Sequence, residues 1–182
     1  LTTPFTFPAT IHALPWANLR PIFCDIDPKT LNLNPKNLEN RLTKKTTAIL
    51  AVHMFGTPCD CEGLENFAKK KGLKLVFDAA HAFDLSIGEK PIGAYGDLSM
   101  FSFHATKLFH TAEGGCLVYR DPELGEKLHL LQNFGIPKED HVIGEGTNAK
   151  LSELHSALGL SVLENIDEER LKRIKLTERY HK

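Results

Sequence analysis

Lys107 stands among neighbours that are unusual for a lysine in contact with water. It lies within residues 101–115, FSFHATKLFHTAEGG, where three phenylalanines and a leucine flank it and two glycines close the run. An apolar setting disfavours the charged ammonium and leaves an amine that can attack an aldehyde. The stretch therefore favours a lysine that forms a Schiff base, against the alternative of one more solvated lysine.

Asp78 ends a second apolar run, LKLVFDAA, at residues 73–80. A carboxylate at the end of a buried strand is costly unless a cation or hydrogen-bond donors satisfy it. One interpretation is that Asp78 accepts hydrogen bonds from the turn that follows. The other is that it pairs with a protonated ring nitrogen, as in pyridoxal phosphate, and keeps that ring an electron sink. The small residues Ala79 and Ala80 would let a flat ring lie close.

The elements that must position these residues alternate between strand and helix, which predicts an α/β fold with a mainly parallel sheet and helices on both faces. Apolar runs predict strands at residues 20–26, 46–55, 73–80, 97–103 and 115–120. Capping residues and helical periodicity predict helices at 34–42, 61–72, 121–135, 150–166 and from about 168, after a weak first helix that Pro15 interrupts. Because ligands gather at the carboxyl ends of parallel strands, Asp78 and Ser102 fall where a site is expected.

The composition argues against several classes of function. The 22 Lys and Arg residues nearly balance the 23 Asp and Glu residues, so we expect no nucleic acid and no membrane as partner. No apolar run approaches the roughly 18 residues of a membrane helix and no secretory leader is recognisable, so we expect a cytoplasmic protein with reduced thiols. The four cysteines lack the spacing of a zinc site, so no metal is expected. Neither glycine-rich nucleotide motif occurs, which disfavours an ordinary Rossmann-like binder.

Four segments, in order, resemble the motifs of the DegT/StrS family of pyridoxal-phosphate-dependent nucleotide-sugar aminotransferases. They are Asp78-Ala79-Ala80-His81-Ala82, Gly93 to Asp97, Ser102-Phe103 to Lys107, and Glu113-Gly114-Gly115. The flanking segments 5–35 and 146–167 resemble the family as well, so the resemblance covers nearly the whole chain. It implies the fold-type I aminotransferase architecture, with residues 1–182 as a single domain that forms the central part of the cofactor-binding large domain.

The resemblance implies a role for three residues around the cofactor ring, which would be that of pyridoxal 5'-phosphate. Lys107 would hold the cofactor as a Schiff base and move a proton between the substrate Cα and the cofactor C4′. Asp78 would pair with the pyridinium nitrogen. Ala80 would pack against one face of the ring.

Three further residues receive roles from the same resemblance. His81 stands where many members have Gln and would approach the phenolic oxygen of the cofactor. Ser102 would bind the phosphate. Asn148 resembles an asparagine that reaches the phosphate from the neighbouring subunit, which implies a homodimer with shared active sites. Lys150, two residues later, stands where many members have Arg.

The implied reaction is a ping-pong transfer of an amino group from an amino-acid donor, expected to be glutamate, to a keto group of a nucleotide-linked deoxysugar. Lys107 favours this reaction over that of the sugar-dehydratase relatives, in which the lysine is replaced. The family's upstream phosphate-binding segment and C-terminal small domain have no counterpart in the sequence, so we expect a chain truncated at both ends. The alternative is therefore a catalytically incompetent fragment, or a non-enzymatic module of the same fold.

Overall fold

The computed structural model describes residues 1–138 and 141–181 of the chain. The chain divides into two compact units. The first comprises Leu1–Phe101 together with Leu117–Arg120, and the second comprises Ser102–Cys116 together with Asp121–Lys182.

A four-stranded sheet organises the first unit. Its strands are β1 (Ala48–Val52), β2 (Lys74–Asp78), β5 (Leu98–Ser102) and β6 (Gly115–Tyr119), in the order β1-β2-β5-β6. Strand β2 pairs in parallel with both β1 and β5, which confirms the predicted mainly parallel α/β sheet. A two-stranded antiparallel hairpin of β3 (Ser86–Ile87) and β4 (Lys90–Pro91) lies between β2 and β5 in the chain.

Five α-helices accompany the strands among the described residues: α1 (Pro8–Trp16), α2 (Cys61–Lys71), α3 (Pro122–Gln132), α4 (Glu153–Glu164) and α5 (Ile166–Tyr180). The predicted end of α2 is confirmed, because Gly72 terminates the helix at φ 66°. At the other end Asp60 caps the helix by accepting a hydrogen bond from the Gly63 N–H. Asp121 caps α3 as predicted, although that helix ends at Gln132 and not at Gly135. No helix within residues 1–138 and 141–181 has both the length and the apolar composition needed to cross a bilayer.

Two predicted elements are wrong. Residues 20–26 form only single bridges, Thr2 with Phe23 and Ile26 with Leu33. The Thr2 N–H donates to the Ile22 carbonyl and the Thr2 carbonyl accepts from Cys24, so isolated bridges stand in this segment in place of the continuous ladder of a strand. Residues 34–42 form two single 3₁₀ turns, Pro35–Asn37 and Glu39–Arg41, although Asn34 caps the first as predicted.

The predicted strand 46–55 also ends early, at Val52. A 3₁₀ turn, Met54–Gly56, follows, and within it Phe55 adopts φ 53° and Gly56 φ 81°. Left-handed backbone cannot continue a β-strand, so the chain leaves the sheet at this point.

The core of the first unit forms where α2 meets β2. Leu64 and Ala68 of α2 are buried, as are Leu75 and Phe77 of β2 and Ile49 of β1. The apolar face of an amphipathic helix thus covers a strand whose side chains exclude water, which is the main source of stability for such a layer.

Asp97 aligns the amino ends of β2 and β5. Its Oδ2 accepts the Leu75 N–H at 2.7 Å, and its own N–H donates to the Leu75 carbonyl at 2.8 Å. Gly96 precedes it at φ 71°, where an added Cβ would lie 2.9 Å from the Leu75 carbonyl oxygen. This register pairs Asp78, the last residue of β2, with Met100 in the middle of β5.

His53, the residue after β1, is fully buried and stacks on Phe77, with ring centroids 4.7 Å apart and an interplanar angle of 15°. Its Nδ1 accepts the Cys59 N–H at 3.1 Å, so the neutral ring carries its proton on Nε2. Nε2 has no hydrogen-bond partner in the part of the chain that the structure describes. Burial lowers the pKa of His53 to about 4, so the folded chain holds this ring neutral at pH 7.

We expect the free energy of unfolding to fall as the pH drops from 6.5 to about 4, because the unfolded chain protonates His53 while the folded chain does not. The loss amounts to roughly 3 kcal/mol and is complete below that window. In urea unfolding at several pH values, His53→Gln should flatten the profile by this amount. His12→Gln, at an exposed position of α1, is the control and should leave the profile unchanged. Equal slopes in His53→Gln and the parent chain would contradict the assignment.

Candidate active site

Asp78, the last residue of β2, is 6% exposed and holds its carboxylate by two hydrogen bonds. Its Oδ1 accepts the Ala80 N–H at 3.0 Å, and its Oδ2 accepts the Thr10 hydroxyl at 2.7 Å. The bond from Ala80 confirms that Asp78 accepts from the turn after the strand. Neither donor is charged, and no lysine, arginine or histidine of residues 1–138 and 141–181 forms an ion pair with it. The buried negative charge therefore lacks a counter-ion from the described chain, and a cationic ligand group could supply one.

The turn after β1 brings aromatic rings to His81. The Phe55 and His81 rings are parallel, with an interplanar angle of 2° and centroids 6.1 Å apart. Phe5 meets Phe55 edge to face at 6.2 Å. Gly56 is required by close approach, since an added Cβ would lie 2.9 Å from the His81 carbonyl oxygen. Asp78 thus ends β2, and Ala80 and His81 follow it; His81 is exposed while Ala80 is half-buried.

In the second unit, residues 104–110 form a loop that carries Lys107, here called the lysine loop. Backbone hydrogen bonds close its base, because the Phe103 carbonyl accepts from Thr111 at 2.9 Å and the Phe103 N–H donates to Gly114 at 2.8 Å. The Phe103 and Phe109 rings meet edge to face with centroids 4.7 Å apart. The apolar residues around Lys107 therefore shape the loop that holds it.

Ser102 and Lys107 are linked through His104. The His104 N–H donates to Ser102 Oγ at 3.3 Å, and the Lys107 N–H donates to the His104 carbonyl at 2.9 Å. The His104 ring itself is engaged, with Nδ1 2.9 Å from Thr106 Oγ1 and Nε2 3.7 Å from a Glu113 carboxylate oxygen. The Lys107 side chain is half-buried, and its ammonium has no hydrogen bond or ion pair with the residues that the structure describes. An amine without a carboxylate partner is suited to act as a nucleophile.

Asn148 lies apart from these residues in the hydrogen-bond pattern of the second unit. It is exposed and forms an antiparallel bridge with Asn133. Lys150 Nζ donates to Asn133 Oδ1 at 2.9 Å and lies 4.7 Å from the centre of the Phe134 ring. No hydrogen bond joins Asn148 to Ser102 or Lys107 within the described ranges. Its contribution to a neighbouring subunit stays a prediction.

Thr10 is a site residue that the sequence interpretation missed. Its hydroxyl contacts Asp78 across 68 residues of sequence, in a buried position of α1. A threonine in a weakly amphipathic first helix gives no local sign of such a contact. Only its place within the family-like segment 5–35 could have drawn attention to it.

The parallel pairing of β2 with both β1 and β5, with α2 between β1 and β2 in the chain, is the arrangement of an α/β protein. Comparison of the sequence with protein families matches residues 1–182 to the family described as DegT/DnrJ/EryC1/StrS aminotransferase family. The chain belongs to this family.

Relatives with known names agree with that assignment. The chain is 46% identical over 167 residues to a dTDP-4-amino-4,6-dideoxy-D-glucose transaminase of Shigella dysenteriae, covering 92% of this chain and 46% of the relative. The crystal structure of DesI with its TDP-sugar product superposes with a TM-score of 0.85 at 42% identity, covering 92% of this chain and 43% of that one. Helicobacter pylori PseC, an aminotransferase of pseudoaminic acid biosynthesis, gives 0.87 at 36% identity, covering 91% and 46%. The chain thus spans about half the length of these relatives.

Gly114 lies where the base of the lysine loop leaves no room for a side chain. An added Cβ would collide with Thr111 Oγ1 and lie 2.9 Å from Leu151 Cδ1. Because the Thr111 hydroxyl donates to the Glu113 carbonyl at 2.7 Å, moving it breaks a hydrogen bond. We expect Gly114→Ala to lower the free energy of unfolding by about 2 kcal/mol in urea titrations. Gly144→Ala is the control, since its Cβ would meet no atom within 4 Å; equal effects of both changes would contradict the close packing.

Proposed function

We propose that this chain carries the cofactor-holding residues of a pyridoxal-phosphate-dependent transaminase that acts on a nucleotide-linked deoxysugar. The amino group would come from an amino acid, with glutamate as the expected donor, and would pass to a keto group of the sugar in a ping-pong sequence. Membership of the family supports amino transfer. The names of the relatives, which refer to dTDP- and TDP-linked sugars, support the class of substrate.

The observation that carries the proposal is the buried carboxylate of Asp78 without a cationic partner among the described residues. A protonated pyridine nitrogen would balance this charge, and the two neutral donors leave acceptor positions of the carboxylate for its N–H. In the second unit, Lys107 is half-buried, and its ammonium forms no ion pair with a carboxylate of the described residues. Both residues therefore support pyridoxal phosphate as the cofactor.

The residues of the chain would divide the work as follows. Bound pyridoxal phosphate supplies an electron sink for the bond broken at the substrate Cα. Asp78 would hold a proton on the pyridine nitrogen and so keep the ring electron-poor. Lys107 would bind the cofactor covalently through Nζ, and as a free amine would take the proton from the substrate Cα.

The remaining predicted residues would bind and orient. Ser102, whose hydroxyl is tied to the backbone N–H of His104, would contact the phosphate. Ala80 would leave room for the ring, and the exposed His81 would approach the phenolic oxygen. Asn148 would complete the phosphate site of a second copy, in a cytoplasmic homodimer with shared active sites. Residues 1–182 would then be the central part of the large domain.

A second possibility follows from the length of the chain, which covers 46% of its Shigella relative. A chain that holds these residues and lacks parts of the whole enzyme would bind the cofactor without turning over a sugar. Both the catalytically incompetent fragment and the active enzyme would bind the cofactor, but only the active enzyme would turn over a sugar.

We expect borohydride reduction of the chain with pyridoxal phosphate to fix one covalent adduct, on the peptide that contains Lys107. Lys107→Ala should lose the adduct, because Lys107 is the lysine to which the proposal assigns the covalent bond. Lys71→Ala is the matched control, since Lys71 is also half-buried but forms an ion pair with Glu39 at 2.6 Å. Mass spectrometry of the reduced peptides measures both outcomes.

The pattern of adduct and turnover separates the possibilities. An adduct on Lys107 with glutamate-dependent amination of a dTDP-linked keto-deoxysugar supports the active enzyme. The same adduct without amination supports the incompetent fragment. An adduct spread over several lysines, or retained in Lys107→Ala, would contradict the role of Lys107.

A further inference from the structure

The hydroxyls of two threonines are linked by hydrogen bonds in a series that ends at the Asp78 carboxylate. Thr6 Oγ1 lies 2.7 Å from Thr10 Oγ1, which lies 2.7 Å from Asp78 Oδ2. A hydroxyl has one proton to donate, and a carboxylate only accepts. Thr10 therefore gives its proton to Asp78, and Thr6 is the donor to Thr10. The carboxylate of Asp78 thus fixes the direction of both hydrogen bonds, from Thr6 to Thr10 and from Thr10 to Asp78.

The start of α1 fixes Thr10 in place. Thr10 is the third residue of the helix, which begins at Pro8, and its N–H donates to the Phe7 carbonyl at 3.2 Å. A threonine hydroxyl in a helix usually bonds to a carbonyl three or four residues earlier. Here it bonds to a carboxylate of another element, and it does so at the helix end that carries partial positive charge. Thr10 and Asp78 are each 6% exposed, so water does not compete for this bond.

Asp78 requires hydrogen bonds to fix the plane of its carboxylate, because the side-chain torsion χ2 restrains that plane only weakly. The terminal torsion of Asp is broad and roughly two-fold, so packing alone sets it poorly. In the structure each oxygen has a separate neutral donor, Ala80 N–H on Oδ1 and Thr10 hydroxyl on Oδ2. Two donors on different oxygens fix the plane of the carboxylate without neutralising its charge.

We infer that Thr10 is a positioning residue that sets the orientation of Asp78 toward the cofactor nitrogen, with Thr6 supporting it. The inference rests on the proposed function, in which Asp78 accepts a proton-bearing ring nitrogen. Thr10 touches neither cofactor nor substrate in this scheme, and it acts only through the carboxylate. Its hydroxyl keeps the remaining acceptor positions of Asp78 pointing in one direction.

Thr2 provides a matched control within the same unit. It is also a buried threonine, 1% exposed, and its hydroxyl has no hydrogen-bond partner in the described residues. Thr2→Val therefore removes a buried hydroxyl without touching Asp78. Thr10→Val removes the donor with little change in side-chain volume, and Thr10→Ser restores a hydroxyl at the same position.

Two measurements on the 182-residue chain test the inference. The first is the affinity for pyridoxal phosphate, followed by absorbance. We expect Thr10→Val to raise the dissociation constant roughly tenfold, Thr10→Ser to stay within about threefold of the parent, and Thr2→Val to leave it unchanged. The second is hydrogen exchange of the Ala80 amide in the chain without cofactor, which should be faster in Thr10→Val alone because the carboxylate that accepts this amide is released.

The outcomes separate the inference from the proposed function. Unchanged Ala80 exchange and unchanged affinity in Thr10→Val would overturn the positioning role while leaving the cofactor proposal intact. A parent chain with no affinity for pyridoxal phosphate would contradict the proposed function, and the Ala80 exchange would still decide whether Thr10 holds Asp78. Equal effects of Thr10→Val and Thr10→Ser would also overturn the inference, since they would assign the effect to packing.

Discussion

A negative charge buried at the end of strand β2 is the constraint on which the candidate site depends. Asp78 sits at the end of a strand whose side chains form the core, and a carboxylate there requires donors from elsewhere in the fold. The first helix supplies the Thr10 hydroxyl and the turn after β2 supplies the Ala80 N–H. Both are neutral, so the fold stabilises the carboxylate and leaves its charge available.

Hydrogen bonds also fix the amino end of β2. Asp97 holds both the N–H and the carbonyl of Leu75, and Gly96 lets the backbone approach that residue closely. A slip of the register by one residue would turn every side chain of β2 to the other face. The segment from Gly93 to Asp97 therefore influences the candidate site, because it fixes the register of β2 and with it the position of Asp78. In the second unit the hydrogen bonds of Phe103 to Thr111 and Gly114 do the same for the lysine loop.

Local signals made much of this structure predictable from the sequence. The apolar run before Asp78, the glycine that ends α2 and the motif that contains Lys107 each lie within a short stretch, and the structure has the expected elements there. The predicted strand at 20–26 was wrong because apolar residues alone do not provide a pairing partner, and the segment forms single bridges to Thr2 and to Leu33. Thr10 was missed for the same reason, since its importance lies in a contact 68 residues away. A single sequence does not indicate which distant residue a polar group will contact in the fold.

We propose that Asp78 balances a protonated pyridine nitrogen of the bound cofactor. The most direct measurement is the ¹⁵N chemical shift of pyridoxal phosphate labelled at that nitrogen and bound to the chain. We predict the shift of a protonated ring in the parent chain and that of an unprotonated ring in Asp78→Asn, which keeps the shape of the side chain and removes its charge. An unprotonated ring in the parent, or a protonated ring that persists in Asp78→Asn, would contradict the account.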